Sequence, residues 1–333
     1  MSPVRKYLVM LFIILASFGS CFGRVYRGDP LVANLDEAYG PADPRAYAFR
    51  KAWEKACNSA DSVLVIPANK IYHLRPITFS GPCKSNFTMK VDGKIKASTR
   101  RSDYGKDKRH WLVFEKIHNF TVEGWGTIDV TAPGNSPNTD GIHVTDTRNI
   151  TIQDSVISTG DDCISIVSGS EYVQARNIQC GPGHGISIGS LGARNSKDHV
   201  SNVIVDGAKL RGTTNGVRIK TWQGGSGYAK NITFQNIEME NVRYPIIIDQ
   251  NYCDSRKPCT EETSAVQVSG VVYKNITGTS ASEEAVKFYC SKTIPCHGIS
   301  LEEINLVREG DGRVNAWCDN VGLRNMGKVS PRC

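Results

Sequence analysis

Four short segments of this 333-residue chain carry side chains that could do chemistry together: Asn138 to Gly141 (NTDG), Gly160 to Cys163 (GDDC), Gly183 to Gly185 (GHG) and Arg218 to Lys220 (RIK). Asp140, Asp161 and Asp162, if gathered within a few ångströms, would repel one another. That repulsion raises at least one pKa and separates an acid from a base, which is the pair that cleavage of a glycosidic bond requires. Arg218 offers a planar fork and Lys220 a point charge, and both suit a carboxylate on a sugar. Taken singly, each segment has an ordinary structural explanation. NTD recurs by chance, DD is a common solvated turn, a His between glycines serves a tight turn, and RIK reads as one face of an exposed strand. Joint function requires an architecture that brings them together.

That architecture is written in a repeat. Gly-apolar-x-apolar occurs as GIHV at Gly141, CISI at Cys163, GISI at Gly185 and GVRI at Gly216, with PIII at Pro245 as a looser copy. Successive copies lie 22, 22, 31 and 29 residues apart, the period range of a solenoid. A second signature, Asn followed by an apolar residue, occurs at Asn119, Asn149, Asn177, Asn202 and Asn231, with a weaker copy at Asn275. Each copy is a short segment of period 2, rich in Ile, Val and Thr, as expected of a half-buried strand. Gly, Asn, Asp and Ser between copies supply turns. A β-sandwich also has many short strands, but it predicts neither the same tetrapeptide returning in order nor the lack of hairpin dipeptides. The expected fold is therefore all-β, a parallel β-helix. The one good amphipathic helix, Ala46 to Cys57, is expected to cap its N-terminal end.

Aligning the copies puts Ile142, Ile164, Ile186 and Val217 in one register, with Val144, Ile166, Ile188 and Ile219 two residues on. Neighbouring strands lie about 4.8 Å apart, so Asp140, Asp161, Asp162, His184, Arg218 and Lys220 should form one cluster. Alternation places Arg218 and Lys220 on the outer face. Asp140 and Asp162 share parity with the inward positions. Either a bend ahead of the strand turns them outward or the register is off by one, because buried carboxylates without partners are very costly.

The chain as a whole fits an exported protein. Arg5 and Lys6 precede an apolar run from Tyr7 to Phe18 and small residues ending at Gly23, the layout of a secretory signal peptide. The division expected is residues 1–23 as signal peptide and 24–333 as one catalytic β-helix domain. An uncleaved anchor is the rival reading, but the run is short for a bilayer. Of eleven cysteines, ten remain after Cys21, enough for five disulfides in an oxidising compartment. The short separations Cys253 to Cys259 and Cys290 to Cys296 suit local staples. Zinc spacing is absent. Sequons begin at Asn86, Asn119, Asn149, Asn231 and Asn275, as glycan candidates or strand punctuation. A net charge of +7 favours a polyanionic partner; nucleic acid fits the sign but not the compartment.

At the level of motifs the chain resembles the plant polygalacturonases, a family of inverting glycoside hydrolases. The resemblance rests on SPNTDGIHV from Ser136, STGDDCISI from Ser158, GPGHGISIGSLG from Gly181, NGVRIKTW from Asn215, and Tyr252 in IIIDQNYC. It implies a right-handed parallel β-helix, secretion to the cell wall, and a monomer that hydrolyses the α-1,4 bonds of galacturonan in pectin without nucleic-acid or membrane partners. By position, it implies Asp161 as the general acid, Asp140 and Asp162 as the groups activating water, and His184 as support for the acid. Arg218, Lys220 and Tyr252 would bind galacturonate. No metal or organic cofactor is implied.

Two departures stand out. Before the helix this chain has YGPADPRAYAF where the family carries a Gly- and Asp-rich segment. After GTID the family continues through about two further coils, whereas Asp129 is here followed almost at once by Thr131, Ala132 and Pro133. At solenoid coil lengths roughly 40 to 60 residues are missing. A solenoid can lose whole coils and still stack, yet the groove wall beside Asp140 would be shortened. Two other readings accompany hydrolysis: a pectin-binding or truncated isoform without turnover, and a pectate lyase needing Ca²⁺ and a base.

Overall fold

The computed structural model describes residues 32–34, 44–84, 86–98, 101–104, 110–130, 139–254, 259–310 and 312–333. The segment read as a signal peptide and the Ser136 to Asn138 part of SPNTDG lie outside them. The Gly-apolar-x-apolar copies pair directly, each on the next. Ile142 faces Ile164, Ile164 faces Ile186, Ile186 faces Val217 and Val217 faces Ile246, all in parallel. The expected register is therefore the observed one, and the looser copy at Pro245 belongs to it. These ladder residues are fully buried; each stabilises the stack by about 1.5–3 kcal/mol relative to exposure.

The ladder forms a nine-stranded sheet running from Ile77–Ser80 through Leu112–Glu115, Ile142–Thr145, Ile164–Ile166, Ile186–Leu191, Asn215–Trp222, Tyr244–Tyr252 and Glu284–Tyr289 to Asn315–Asp319. A fifteen-stranded sheet forms the rest of the coil wall. Consecutive coils return to the same sheet one position on, giving a parallel β-helix with its core of Ile, Val and Phe inside the tube.

Asn-apolar proves to be two signatures rather than one. Strand registers place Asn119, Asn149, Asn202 and Asn231 on one corner and Asn177 and Asn275 on another. All six have φ between 50° and 57°. Both corners need a left-handed residue, a conformation that Asn tolerates and that most L-residues avoid. The side chains then bond along the stack, as where Asn149 Nδ2 donates to Asn119 Oδ1 at 2.7 Å.

The helix Pro44–Cys57 begins two residues before the expected start. It buries Ala48, Phe49, Ala52, Trp53 and Ala56, a stripe at helical spacing. Trp53 packs within 5.5 Å (ring centroids) of Phe79, Phe87 and Phe120, closing the tube's end.

Where coils are missing, the stack continues without a break. The strand Ile142–Thr145 pairs directly with Leu112–Glu115, and Arg148–Ser158 pairs with both His118–Glu123 and Thr127–Asp129. Every cysteine after Cys21 is bridged: Cys57–Cys83, Cys163–Cys180, Cys253–Cys259, Cys290–Cys296 and Cys318–Cys333. The second of these braces the turn that carries Asp161 and Asp162.

Candidate active site

Asp140 and Asp162 each sit two residues ahead of a strand, in non-strand backbone. The bend turns them outward, resolving the parity conflict without any shift in register. Gly141 N–H donates to the Asp162 carbonyl at 2.9 Å, tying the two turns together. Gly141 is required by closeness: a Cβ there would fall 2.5 Å from Ile157 Cγ2. His184 lies on the next coil, where its N–H donates to the Asp161 carbonyl at 2.6 Å. Gly185 beside it has φ of +85° and lies so near the Asn215 carbonyl that a side chain would collide.

The three carboxylates have different environments. Asp162 is buried, 1% exposed, and both its oxygens are engaged. Oδ1 accepts from Ser187 Oγ at 2.7 Å and Arg218 Nη2 at 2.8 Å, and Oδ2 accepts from Lys220 Nζ at 2.8 Å. Burial pushes the Asp162 carboxyl up, but Lys220 and Arg218 outweigh it and hold the group below the usual carboxylate range. Reciprocally, burial works against the Lys220 ammonium, yet Asp162 keeps its pKa raised. Crowding of carboxylates does not raise the carboxyl at Asp162, where two cations lie 2.8 Å away.

Asp161 is 16% exposed in its side chain. Its Oδ1 accepts from His184 Nδ1 at 2.9 Å and from the Asp162 N–H at 2.9 Å. That bond to Asp161 raises the His184 pKa above the ordinary imidazole value, with burial opposing. Asp140 is 13% exposed, and its Oδ2 accepts from Ser165 Oγ at 2.6 Å.

All seven residues singled out in the sequence lie on adjoining coils, in the central strands of the nine-stranded sheet and the turns that lead into them. Tyr252 stands beside Lys220, whose Nζ is 5.4 Å from its ring centroid, and meets Trp222 edge-on at 5.3 Å. Burial raises the Tyr252 pKa. Sequence reasoning missed four participants. Ser165, Ser187 and His143 occupy the x position of their repeat copies, in one row with Arg218, so the signal was present in the repeat itself. Asp249, opposite Lys220, has its carboxyl pushed up by burial and carried no motif.

Ligand atoms of Asp161, Asp162 and His184 fall within 4.8 Å of one another, a spacing that could hold a metal ion. The geometry suits one poorly. Arg218 and Lys220 already neutralise Asp162, and His184 Nδ1 already faces Asp161.

The profile of the family Glycosyl hydrolases family 28 matches residues 57–132 and 128–329. Polygalacturonase QRT2 of Arabidopsis thaliana is 50% identical over 381 positions, covering 93% of this chain and 86% of that protein. Polygalacturonase-2 of Solanum lycopersicum is 47% identical over 350 positions, covering 86% and 76%. In the first alignment 93% of 333 residues is about 310, so about 70 of its 381 positions face no residue here. The two family segments meet at residues 128–132, where the coils are missing. Among solved structures, a polygalacturonase from Erwinia carotovora superposes with a TM-score of 0.59 at 20% identity, covering 91% of this chain and 99% of that one. The chain therefore belongs to glycosyl hydrolase family 28, built on the right-handed parallel β-helix.

Proposed function

We propose that this chain hydrolyses the α-1,4 bonds of polygalacturonate in the plant cell wall by an inverting, two-carboxylate mechanism. The observation that carries the assignment is the unequal treatment of three neighbouring aspartates. Asp161, with Oδ1 anchored by His184 and the Asp162 N–H, is the acid that protonates the leaving group. Asp140, with only Oδ2 hydrogen-bonded by side chains among the described residues, takes the proton of the attacking water at Oδ1. Asp162, held low by Lys220 and Arg218, is a weak base. It helps to hold the water and anchors both cations. The water oxygen bonds to the anomeric carbon as the glycosidic bond breaks, and the two protons pass to Asp140 and from Asp161.

Recognition of a uronate falls to Arg218, whose Nη1 makes no hydrogen bond among the described residues, and to Lys220 and Tyr252 in the same sheet. A polyanion also suits the net charge of +7. Five disulfides favour an oxidising, extracellular setting, so residues 1–23 are assigned to export and the chain from residue 24 to one catalytic domain working as a monomer. The unbroken strand pairing across the missing coils supports an active stack. Incubating purified protein with de-esterified polygalacturonate tests the proposal. Reducing ends should appear; an unsaturated, ultraviolet-absorbing product would mean elimination, and binding without turnover would mean an inactive isoform.

A further inference from the structure

Two serines stand at equivalent places in successive repeat copies, Ser165 and Ser187, and each donates its hydroxyl to an aspartate of the preceding coil. Ser165 Oγ reaches Asp140 Oδ2 at 2.6 Å and Ser187 Oγ reaches Asp162 Oδ1 at 2.7 Å. A serine hydroxyl has one proton to give, so whatever else approaches these oxygens closely must be a donor. At Ser187 the donor is Arg218 Nε, 3.0 Å away. At Ser165 it is His143, whose Nδ1 lies 2.7 Å from Oγ. The proton of His143 is thereby fixed on Nδ1. The direct distance from Nδ1 to Asp140 Oδ2, 3.4 Å, is too long for a strong bond. His143 therefore acts on Asp140 chiefly through Ser165.

We infer that His143 and Ser165 are positioning residues for Asp140, a two-step hydrogen-bond relay that pins Oδ2 and leaves Oδ1 aimed at the attacking water. The inference rests on the reading of Asp140 as the base. The relay is built into the fold: His143 pairs with Ser165 in the strand register, and Ser165 is 2% exposed, so its hydroxyl is screened from water and held to these partners. The His110 ring packs against His143, 4.4 Å away between centroids. His110 comes from the coil brought against the site where coils are missing. An anchored carboxylate spends more of its time in the orientation the reaction needs, which affects turnover and leaves ground-state binding nearly unchanged.

Kinetics on polygalacturonate test this with Ser165→Ala, His143→Ala, His143→Asn and the double Ser165→Ala/His143→Ala, beside Asp140→Asn as control. A hydrogen bond to a charged acceptor supports a loss of about tenfold in kcat for Ser165→Ala, with KM within about twofold of the parent. His143→Ala should lose a similar factor, and His143→Asn, which keeps an amide N–H near the place of Nδ1, should recover most of it. Because His143 works through Ser165, the double variant should be no slower than Ser165→Ala alone. Unaltered kcat in Ser165→Ala, no recovery in His143→Asn, or losses that multiply in the double variant would each overturn the relay. Asp140→Asn separates the two levels: if it retains kcat, the base assignment fails, whereas collapse there with a normal Ser165→Ala overturns the relay alone.

Discussion

Two rows of side chains run along this stack, one on the smaller sheet and one on a corner of the larger, and they answer the repeat in opposite ways. The outward row of the smaller sheet varies along the stack, from Val113 to His143, the two serines Ser165 and Ser187, Arg218 and Ile247. The corner row repeats one conformation and mostly one residue: Asn86, Asn119, Asn149, Asn202 and Asn231, with Tyr172 on the coil between Asn149 and Asn202 and Gly270 on the coil after Asn231, all at positive φ. A corner makes the same left-handed backbone demand on every coil, and Asn, which tolerates that conformation, meets it most often. A reaction centre needs different groups a few ångströms apart, so each coil supplies another. Repetition marks architecture in this chain, and divergence within the repeat marks chemistry.

Breaking the reaction centre beside the divergent row, at Asp161, should have the largest effect. Asp161→Asn preserves shape and removes the deliverable proton, so kcat should fall about a hundredfold to ten-thousandfold. KM should hold or drop slightly, since a negative charge leaves a site for a polyanion. A variant keeping a third of the parent kcat would remove Asp161 from the acid's role.

Next in size is the ion cluster that ties Arg218 of the row to Asp162 and Lys220. Lys220→Met leaves buried Asp162 with a bare Oδ2, and breaking a buried pair costs about 3–5 kcal/mol. Chemical denaturation should register that loss together with a raised KM. Adding Asp162→Asn should restore part of the stability, because the stranded charge is gone. Equal or worse stability in the double variant would mean that Lys220 matters for packing rather than for pairing.

The corner row should respond least, and only in stability. Asn149→Ala puts an ordinary side chain at φ 57°, for which about 1–2 kcal/mol is expected, plus the lost bond to Asn119. Asn149→Gly should cost less than the alanine variant, and kcat should be unchanged in both. An alanine variant as stable as the glycine one would contradict the conformational account of the corner.

Much of this was legible in the sequence because it depends on periodicity. The ladder Ile142, Ile164, Ile186 and Val217 could be read directly, as could the clustering of Asp140, Asp161, His184 and Arg218, since parallel coils convert a repeat into adjacency. The state of Asp162 was not legible. Parity shows which side of a strand a group leaves from, whereas its pKa depends on Lys220 and Arg218 lying 2.8 Å away with both oxygens occupied. Asp249 was hidden for the same reason, its character coming from burial. The sequons at Asn119, Asn149 and Asn231 illustrate the opposite hazard. A left-handed Asn, an inward apolar residue and an outward Thr are the ordinary composition of this corner, so Asn-x-Thr arises there from strand geometry alone.

The central claim, hydrolysis by inversion with Asp161 as acid and Asp140 as base, is tested most directly by the configuration of the first product. Purified chain acting on de-esterified polygalacturonate can be followed by proton NMR before mutarotation scrambles the anomers. Attack by water from the face opposite an α-linked leaving group yields the β-anomer first. Early accumulation of the β-anomer is the result predicted; early accumulation of the α-anomer would contradict the account.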